Sequence, residues 1–297
     1  MGTLVAKAYP TKLFLKAADH TYVECGTGAK GWSCWGGKAN GAQICSGAGS
    51  TQRANLVAET NQRAQIAVYL VNGVCHQAAN RVLTQTKLQV STARGYWLSQ
   101  SIFGTYGKPS LYNRHLTMSG EVAACVAAGT PSNGTSVSSP MQMTQEDLTN
   151  ERLLRKEHER LAKLALGPSG SATVFDFMKA NVRAFERGII SRLKGAALSK
   201  TAMRGLLQAK EEVEIEHYRL NQLFLGRELA ADRFVLAFNA MTYEFQDQSA
   251  DALSAKAYRT AFELSPSERL VLADPDIVDV AFGEGTAAAV YGDFKRG

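Results

Sequence analysis

The first 120 residues alternate short apolar segments with Gly-rich turns, a pattern typical of a small sheet with few helices. Segments 12–16 and 20–25 have strand-like composition, and 32–35 follows a turn as the returning strand of a hairpin. Residues 54–71 favour helical or mixed structure. Asn72-Gly73 then predicts a turn, and 75–83 predicts the first turns of a helix.

The second half of the chain has helical periodicity. Over 173–198, apolar residues recur at three- and four-residue steps, and 199–225 and 228–245 look similar. Ser265-Pro266-Ser267-Glu268 predicts a helix start, with serine as cap and proline at the first helical position. We therefore expect four to six helices in a bundle or helical array.

A polar, proline-punctuated stretch separates the two patterns and predicts a flexible linker. We place an amino-terminal domain at 1–128, the linker at 129–143 and a helical domain at 144–297. The charge changes at the same place: residues 1–140 carry 12 basic and 4 acidic side chains, against 21 and 23 in the remainder. The expected fold class is α+β followed by an all-α domain.

The whole chain has 297 residues and a formal net charge of +6, with 45% hydrophobic residues, which is ordinary globular composition. No apolar run approaches the ~18 residues of a membrane span, and the amino terminus lacks a secretory signal pattern. We expect a cytoplasmic protein or one exported by a Sec-independent route. The basic residues are scattered, so no nucleic-acid partner is expected.

The five cysteines are Cys25, Cys34, Cys45, Cys75 and Cys125. An odd number without a secretory signal favours free thiols over a disulfide framework. Their spacings match no zinc template, and most are expected to be small buried side chains. Cys75 differs because it lies where a helix is predicted to begin.

A thiol in the first helical turn faces unpaired backbone N–H groups and the positive end of the helix dipole, which favour the thiolate. The same N–H groups, including that of Cys75, can bind an oxyanion. His76 follows directly but points about 100° away around the helix. His20, fixed within a predicted strand, is the better candidate base. A structural role for both residues is the alternative.

The combination resembles the circularly permuted branch of the NlpC/P60 papain-like superfamily, which includes the lecithin:retinol acyltransferase-like proteins. His20-Thr21-Tyr22-Val23 is similar to the family's histidine strand, and the segment from Asn72 to Cys75 is similar to its cysteine helix. Here two residues separate Asn72 from Cys75, where the family usually has none. The resemblance covers roughly residues 12–110.

The resemblance implies a papain-like amino-terminal domain in which Cys75 attacks a carbonyl and His20 transfers the proton. The family's third polar residue lies on the strand after the histidine, where this chain has Ser33 and Cys34. Either could orient the imidazole, and Asn40 or Gln43 could do so if the loop folds back.

Two other motifs predict less. Residues 26–31 match G-x-G-x-x-G, but no helix start follows and no acidic residue stands ~20 positions on, so a hairpin turn is favoured over a dinucleotide site. Glu214 and His217 form a Glu-x-x-His pair, for which a solvated helix face is favoured over a metal site. No metal or organic cofactor is expected.

The sequence thus predicts a cysteine-dependent hydrolase or acyltransferase acting on an amide or ester carbonyl through a Cys75–His20 dyad. Peptide, peptidoglycan and acyl-lipid substrates remain open. The alternative is a non-catalytic interaction protein whose charged helical domain binds a partner or self-associates.

Overall fold

The computed structural model describes residues 2–11, 17–25, 40–62, 69–108, 174–194 and 198–292. The three strands are β1 (Gly2–Tyr9), β2 (His20–Cys25) and β3 (Ala42–Gly49). They form one antiparallel sheet in the order β2-β1-β3, in which Tyr9 pairs with His20. The described residues therefore have an α+β fold, as predicted.

Three helices and a 3₁₀ turn accompany the sheet: α1 (Thr51–Gln62), α2 (Cys75–Leu83), the 3₁₀ turn Thr84–Thr86 and α3 (Tyr96–Phe103). Helix α2 packs against β2 and also contacts α1 and α3. The small core between the sheet and these helices includes Leu4, Val23, Val57, Val82 and Tyr96.

The second half of the chain is helical in its described part. Its helices are α4 (Val174–Arg192), α5 (Lys200–Leu225), α6 (Ala231–Ala252), α7 (Ala255–Phe262), α8 (Pro275–Phe282) and α9 (Thr286–Tyr291). Helices α5 and α6 pack along each other, and the predicted apolar stripe of α4 buries Phe185 and Ile189. Among the residues described, no helix is both long enough and apolar enough to cross a bilayer.

The predicted helix start at Ser265 is wrong. Residues 265–268 form a turn, in which the N–H of Glu268 donates to the carbonyl of Ser265 over 2.9 Å. The Glu268 carboxylate pairs with Arg94 of the first half. The chain then runs extended and forms a parallel bridge between Val271 and Ala17, so contacts with the first half replace a helix here.

The two halves pack against each other. Ala17, Leu70, Val74 and Cys75 belong to the same buried cluster as the apolar faces of the carboxyl-terminal helices. The predicted linker 129–143 and strands 12–16 and 32–35 lie outside the described residues. The division into domains therefore stays a prediction, and the structure adds an extensive shared core between the halves.

Candidate active site

The side chains of Cys75 and His20 are in direct contact. His20 is the first residue of β2 and Cys75 the first residue of α2, and Cys75 Sγ lies 3.1 Å from His20 Nδ1. His20 is fully buried and Cys75 is 4% exposed. The two residues that the sequence selected are thus brought together by the packing of α2 on β2.

The turn before α2 fixes the position of the thiol. The N–H of Leu70 donates to the carbonyl of Gly73 over 2.9 Å, and the Gln77 side chain accepts from the N–H of Val74 over 3.1 Å. A Cβ on Gly73 would lie 2.8 Å from the Gln77 Cβ, so only glycine allows this close approach. Val74 is the N-cap residue and offers no side-chain acceptor, so no cap side chain occupies the first N–H groups of α2.

A third polar side chain, that of Asp274, completes the site from the opposite half of the chain. Its Oδ2 lies 3.4 Å from His20 Nδ1. The reason is the parallel bridge between Ala17 and Val271: three residues further along each segment stand His20 and Asp274. Because parallel strands advance equally per residue, this register brings the two side chains together. We call His20, Cys75 and Asp274 the thiol cluster.

Asp274 is held in place by contacts on both its side chain and its backbone. Its Oδ1 caps α8 by accepting from the N–H of Asp276 over 3.0 Å, and Pro275 occupies the first helical position. Its own N–H donates to the Tyr69 hydroxyl over 2.6 Å. These contacts leave Oδ2 of Asp274 directed at His20, and Asp274 as a whole is only 5% exposed.

The electrostatics of the cluster favour a charged imidazole. Burial alone lowers the pKa of His20, but the negative charges of Cys75 and Asp274 and their hydrogen bonds raise it well above its usual value. The ring of Tyr9 lies 4.9 Å from the imidazole, centroid to centroid. The contacts of the cluster therefore favour a protonated imidazole at His20.

His76 is not part of this cluster. Its Nε2 donates to the carbonyl of Asp19 over 3.0 Å, and its Nδ1 lies 2.8 Å from Ser99 Oγ. Burial lowers the pKa of His76 to about 3, so the ring is neutral near pH 7. This histidine joins α2, α3 and the segment before β2.

Asp274, whose carboxylate contacts His20 in the structure, is not among the residues that the sequence predicted to orient the imidazole. Ser33 and Cys34 lie outside the described residues, and Asn40 and Gln43 are exposed. Sequence reasoning missed Asp274 because it searched only the strand after the histidine. The Asp-Pro pair at 274–275 is a helix-start signal, but nothing in the sequence links it to β2.

A second buried cluster contains the Glu-x-x-His pair, and the predicted solvated face is wrong for both residues. Glu214 is 1% exposed and His217 fully buried. The Lys108 ammonium donates to His217 Nδ1 over 2.6 Å and lies 3.1 Å from Glu214 Oε2, while Lys210 pairs with the other Glu214 oxygen. We call these four residues the lysine cluster. Two ammonium groups pair with the Glu214 carboxylate and compensate the cost of burying it. Glu214 is therefore buried, although the dense charge around it in the sequence predicted an exposed position.

Comparison of the chain with protein-family models, with curated proteins and with solved structures gave no match in any of the three. A groove with a volume of about 470 Å³ lies elsewhere, between the start of α5 and the end of α6. Gln208, Glu212 and Asp251 line it, and no member of the thiol cluster does. The thiol cluster is therefore the candidate site of the described residues.

Proposed function

We propose that the protein is a cysteine-dependent hydrolase or acyltransferase acting on an amide or ester carbonyl. The observation that carries the proposal is the 3.1 Å contact between Cys75 Sγ and His20 Nδ1 at the first residue of a helix. Thiol nucleophiles are activated by an adjacent imidazole and by a helix amino terminus, and both are present at this sulfur.

In the proposed reaction, the Cys75 thiolate attacks the substrate carbonyl carbon and forms a tetrahedral intermediate. Backbone N–H groups in the first turn of α2 stabilise the oxyanion. The His20 imidazolium then protonates the leaving amine or alcohol, and an acyl group remains on the sulfur. Water or another acceptor, deprotonated by His20, releases the acyl group and restores the thiolate.

Asp274 has a supporting role in this scheme. Its carboxylate stabilises the imidazolium and limits rotation of the ring, because Oδ2 faces Nδ1 while Oδ1 is fixed at the start of α8. It touches the acid–base group and no reacting atom of the substrate, so it is a positioning residue.

The resemblance to the permuted NlpC/P60 papain-like branch supports this reaction class. The histidine strand precedes the cysteine helix in the chain, and the two pack together beside an antiparallel sheet. Membership of that branch is part of the proposal, as are peptide, peptidoglycan and acyl-lipid groups as the substrate classes.

Site-resolved alkylation tests the activated thiol. Cys45 is a suitable internal control because it is a half-buried free thiol whose pKa is raised by burial. With iodoacetamide near pH 7, followed by peptide mass spectrometry, we expect Cys75 to react at least about 10-fold faster than Cys45. His20→Gln should slow alkylation of Cys75 and leave that of Cys45 unchanged. Equal rates at the two cysteines in the wild type would contradict the proposal.

An activity screen tests the reaction itself. Wild type, Cys75→Ala and Cys45→Ser are compared on peptide, ester and thioester substrates, with mass spectrometry for an acyl group on Cys75. We expect turnover in wild type and Cys45→Ser only. If biological function survives Cys75→Ala unchanged, the interaction function of the helical half is favoured instead.

A further inference from the structure

The thiol cluster has an unusual arrangement for a catalytic triad. In such a triad the nucleophile and the carboxylate contact opposite nitrogens of the imidazole. Here Cys75 Sγ and Asp274 Oδ2 both approach the same atom, His20 Nδ1, at 3.1 and 3.4 Å. The three donor atoms all lie within 4.8 Å of one another, so they converge on one point.

This convergence fits a tetrahedral metal ion. With Zn–S near 2.3 Å and Zn–N and Zn–O near 2.0–2.2 Å, tetrahedral angles require roughly 3.6 Å between sulfur and nitrogen and roughly 3.4 Å between nitrogen and oxygen. The nitrogen–oxygen distance already agrees, and the sulfur–nitrogen distance needs to widen by about 0.5 Å, which is within reach of a small side-chain rotation. A thiolate, an imidazole and a carboxylate form a donor set suited to zinc and poor for magnesium or calcium.

The surroundings hold these donors as outer contacts hold metal ligands. The second oxygen of Asp274 is fixed by the N–H of Asp276, and the backbone of Asp274 is fixed by the Tyr69 hydroxyl. The ring of His20 packs against that of Tyr9. All three donors are therefore positioned before any ion binds.

We infer that the thiol cluster is a Zn²⁺ site with three protein ligands, Cys75, His20 and Asp274, and a fourth position open to water. Binding forms bonds from zinc to Sγ, Nδ1 and Oδ2. The proton that sulfur and nitrogen share in the metal-free protein leaves to solvent, and no oxidation or reduction occurs. Binding follows from the geometry alone. Its consequence rests on the proposed function: a sulfur lone pair held by zinc cannot attack a carbonyl, so zinc reversibly inhibits the enzyme.

The lysine cluster shows what a non-binding arrangement looks like in the same molecule. His217 Nδ1 accepts from Lys108, and both Glu214 oxygens contact ammonium groups. A cation placed there would meet two positive charges, whereas the thiol cluster presents no ammonium group among its three donors. Of the two buried clusters, only the thiol cluster suits a metal.

Cobalt substitution tests the site on the full-length, reduced protein after removal of metal with a chelator. Co²⁺ alone is the probe, since a cobalt–thiolate bond gives charge-transfer absorption and tetrahedral coordination gives strong visible bands. We expect saturation at about one Co²⁺ per chain, displacement by Zn²⁺, and a raised thermal midpoint with Zn²⁺. Cys45→Ser is the control and should bind as wild type does.

Two variants assign the ligands. Cys75→Ser should abolish the charge-transfer absorption, and Asp274→Asn should weaken Co²⁺ binding at least about 10-fold while keeping the charge-transfer absorption. Circular dichroism checks that both variants are folded. No cobalt spectrum in wild type, or a spectrum unchanged in Cys75→Ser, would overturn the site.

The outcomes also separate this inference from the proposed function. Cobalt binding without turnover on any substrate would support the metal site and contradict the hydrolase. The opposite result is turnover that depends on Cys75 and is unaffected by Zn²⁺, in a protein without a cobalt spectrum. It would support the hydrolase and contradict the metal site.

Discussion

Two buried polar clusters lie where the halves of the chain meet, and they use buried charge in opposite ways. The thiol cluster joins β2 and α2 to the start of α8, and the lysine cluster joins Lys108 to α5. Both place a histidine with almost no exposed surface beside a carboxylate. The difference lies in what surrounds each histidine.

In the lysine cluster the Glu214 carboxylate pairs with ammonium groups, and both nitrogens of His217 have hydrogen-bond partners. Burial by itself would raise the pKa of Glu214, but the ammonium groups of Lys108 and Lys210 lower it to about 2. Burial lowers the pKa of His217 well below its usual value, so the ring stays neutral, accepting from Lys108 and donating to the carbonyl of Leu70. A buried network in which donors and acceptors are paired in this way stabilises the fold, so we assign this cluster a structural role.

In the thiol cluster, by contrast, Cys75 and Asp274 both approach one imidazole nitrogen; burial lowers the pKa of His20, but these two groups raise it well above its usual value. The Cys75 sulfur lies 3.1 Å from this nitrogen, in the geometry that the proposed reaction requires. Burial alone therefore does not distinguish the histidine proposed as an acid–base group from the structural one, since both are fully buried. The identity and direction of the neighbouring groups do.

Glu214→Gln should have the largest effect on stability. It leaves two buried ammonium groups without their carboxylate, and breaking a buried ion pair in this way costs about 3–5 kcal/mol. Urea denaturation measures the change. Glu211→Gln, an exposed position on the same helix, is the matched control and should stay within about 0.5 kcal/mol of wild type. Equal effects at the two positions would show that the lysine cluster is not structural.

Acid should destabilise the protein through the same cluster. Since the folded-state pKa of Glu214 is about 2 and that of an unfolded glutamate 4.5, its contribution is present above 4.5 and is lost as the pH falls towards 2. The loss is roughly 3 kcal/mol. His217 acts in the same direction, because only the unfolded state binds its proton below about 6.5.

The contribution of His20 to folding stability has the opposite pH dependence. Its raised pKa gives a contribution that is present below the unfolded value of 6.5 and is lost as the pH rises through the folded value.

Urea unfolding across pH 2–7 measures the loss of stability in acid for wild type and Glu214→Gln. A loss below pH 4.5 that is equally steep in the variant would assign it to other carboxylates.

Tyr69→Phe should cost less, about 1–3 kcal/mol, because it removes the acceptor of the buried N–H of Asp274. The substitution keeps the ring and its packing. Tyr243→Phe, at a half-buried tyrosine outside both clusters, controls for loss of a phenolic hydroxyl. If Asp274 orients His20, Tyr69→Phe also slows alkylation of Cys75, and an unchanged rate would limit Tyr69 to a structural role.

The local parts of the site could be predicted from the sequence. The strand at His20 and the helix at Cys75 have the predicted starts, because turn residues and short-range periodicity determine them. These signals depend on neighbours within a few residues. They therefore located the two members of the thiol cluster that belong to the first half.

The long-range parts could not be predicted. Asp274 reaches His20 through a single bridge at Ala17, and the turn at Ser265 forms because Glu268 pairs with Arg94. Glu214 is buried because Lys108 reaches it from the other half. Each of these contacts joins residues far apart in the chain, about which local patterns carry no information.

Cys75→Ala should have the smallest effect on stability, under about 1 kcal/mol, although it should abolish the proposed activity. Removing the sulfur leaves a small cavity, which costs stability. His20 keeps Asp274 as its partner, so the substitution leaves no buried charge unpaired. Urea denaturation under the conditions used for Glu214→Gln measures the result, and a loss above about 3 kcal/mol would place Cys75 with the structural groups.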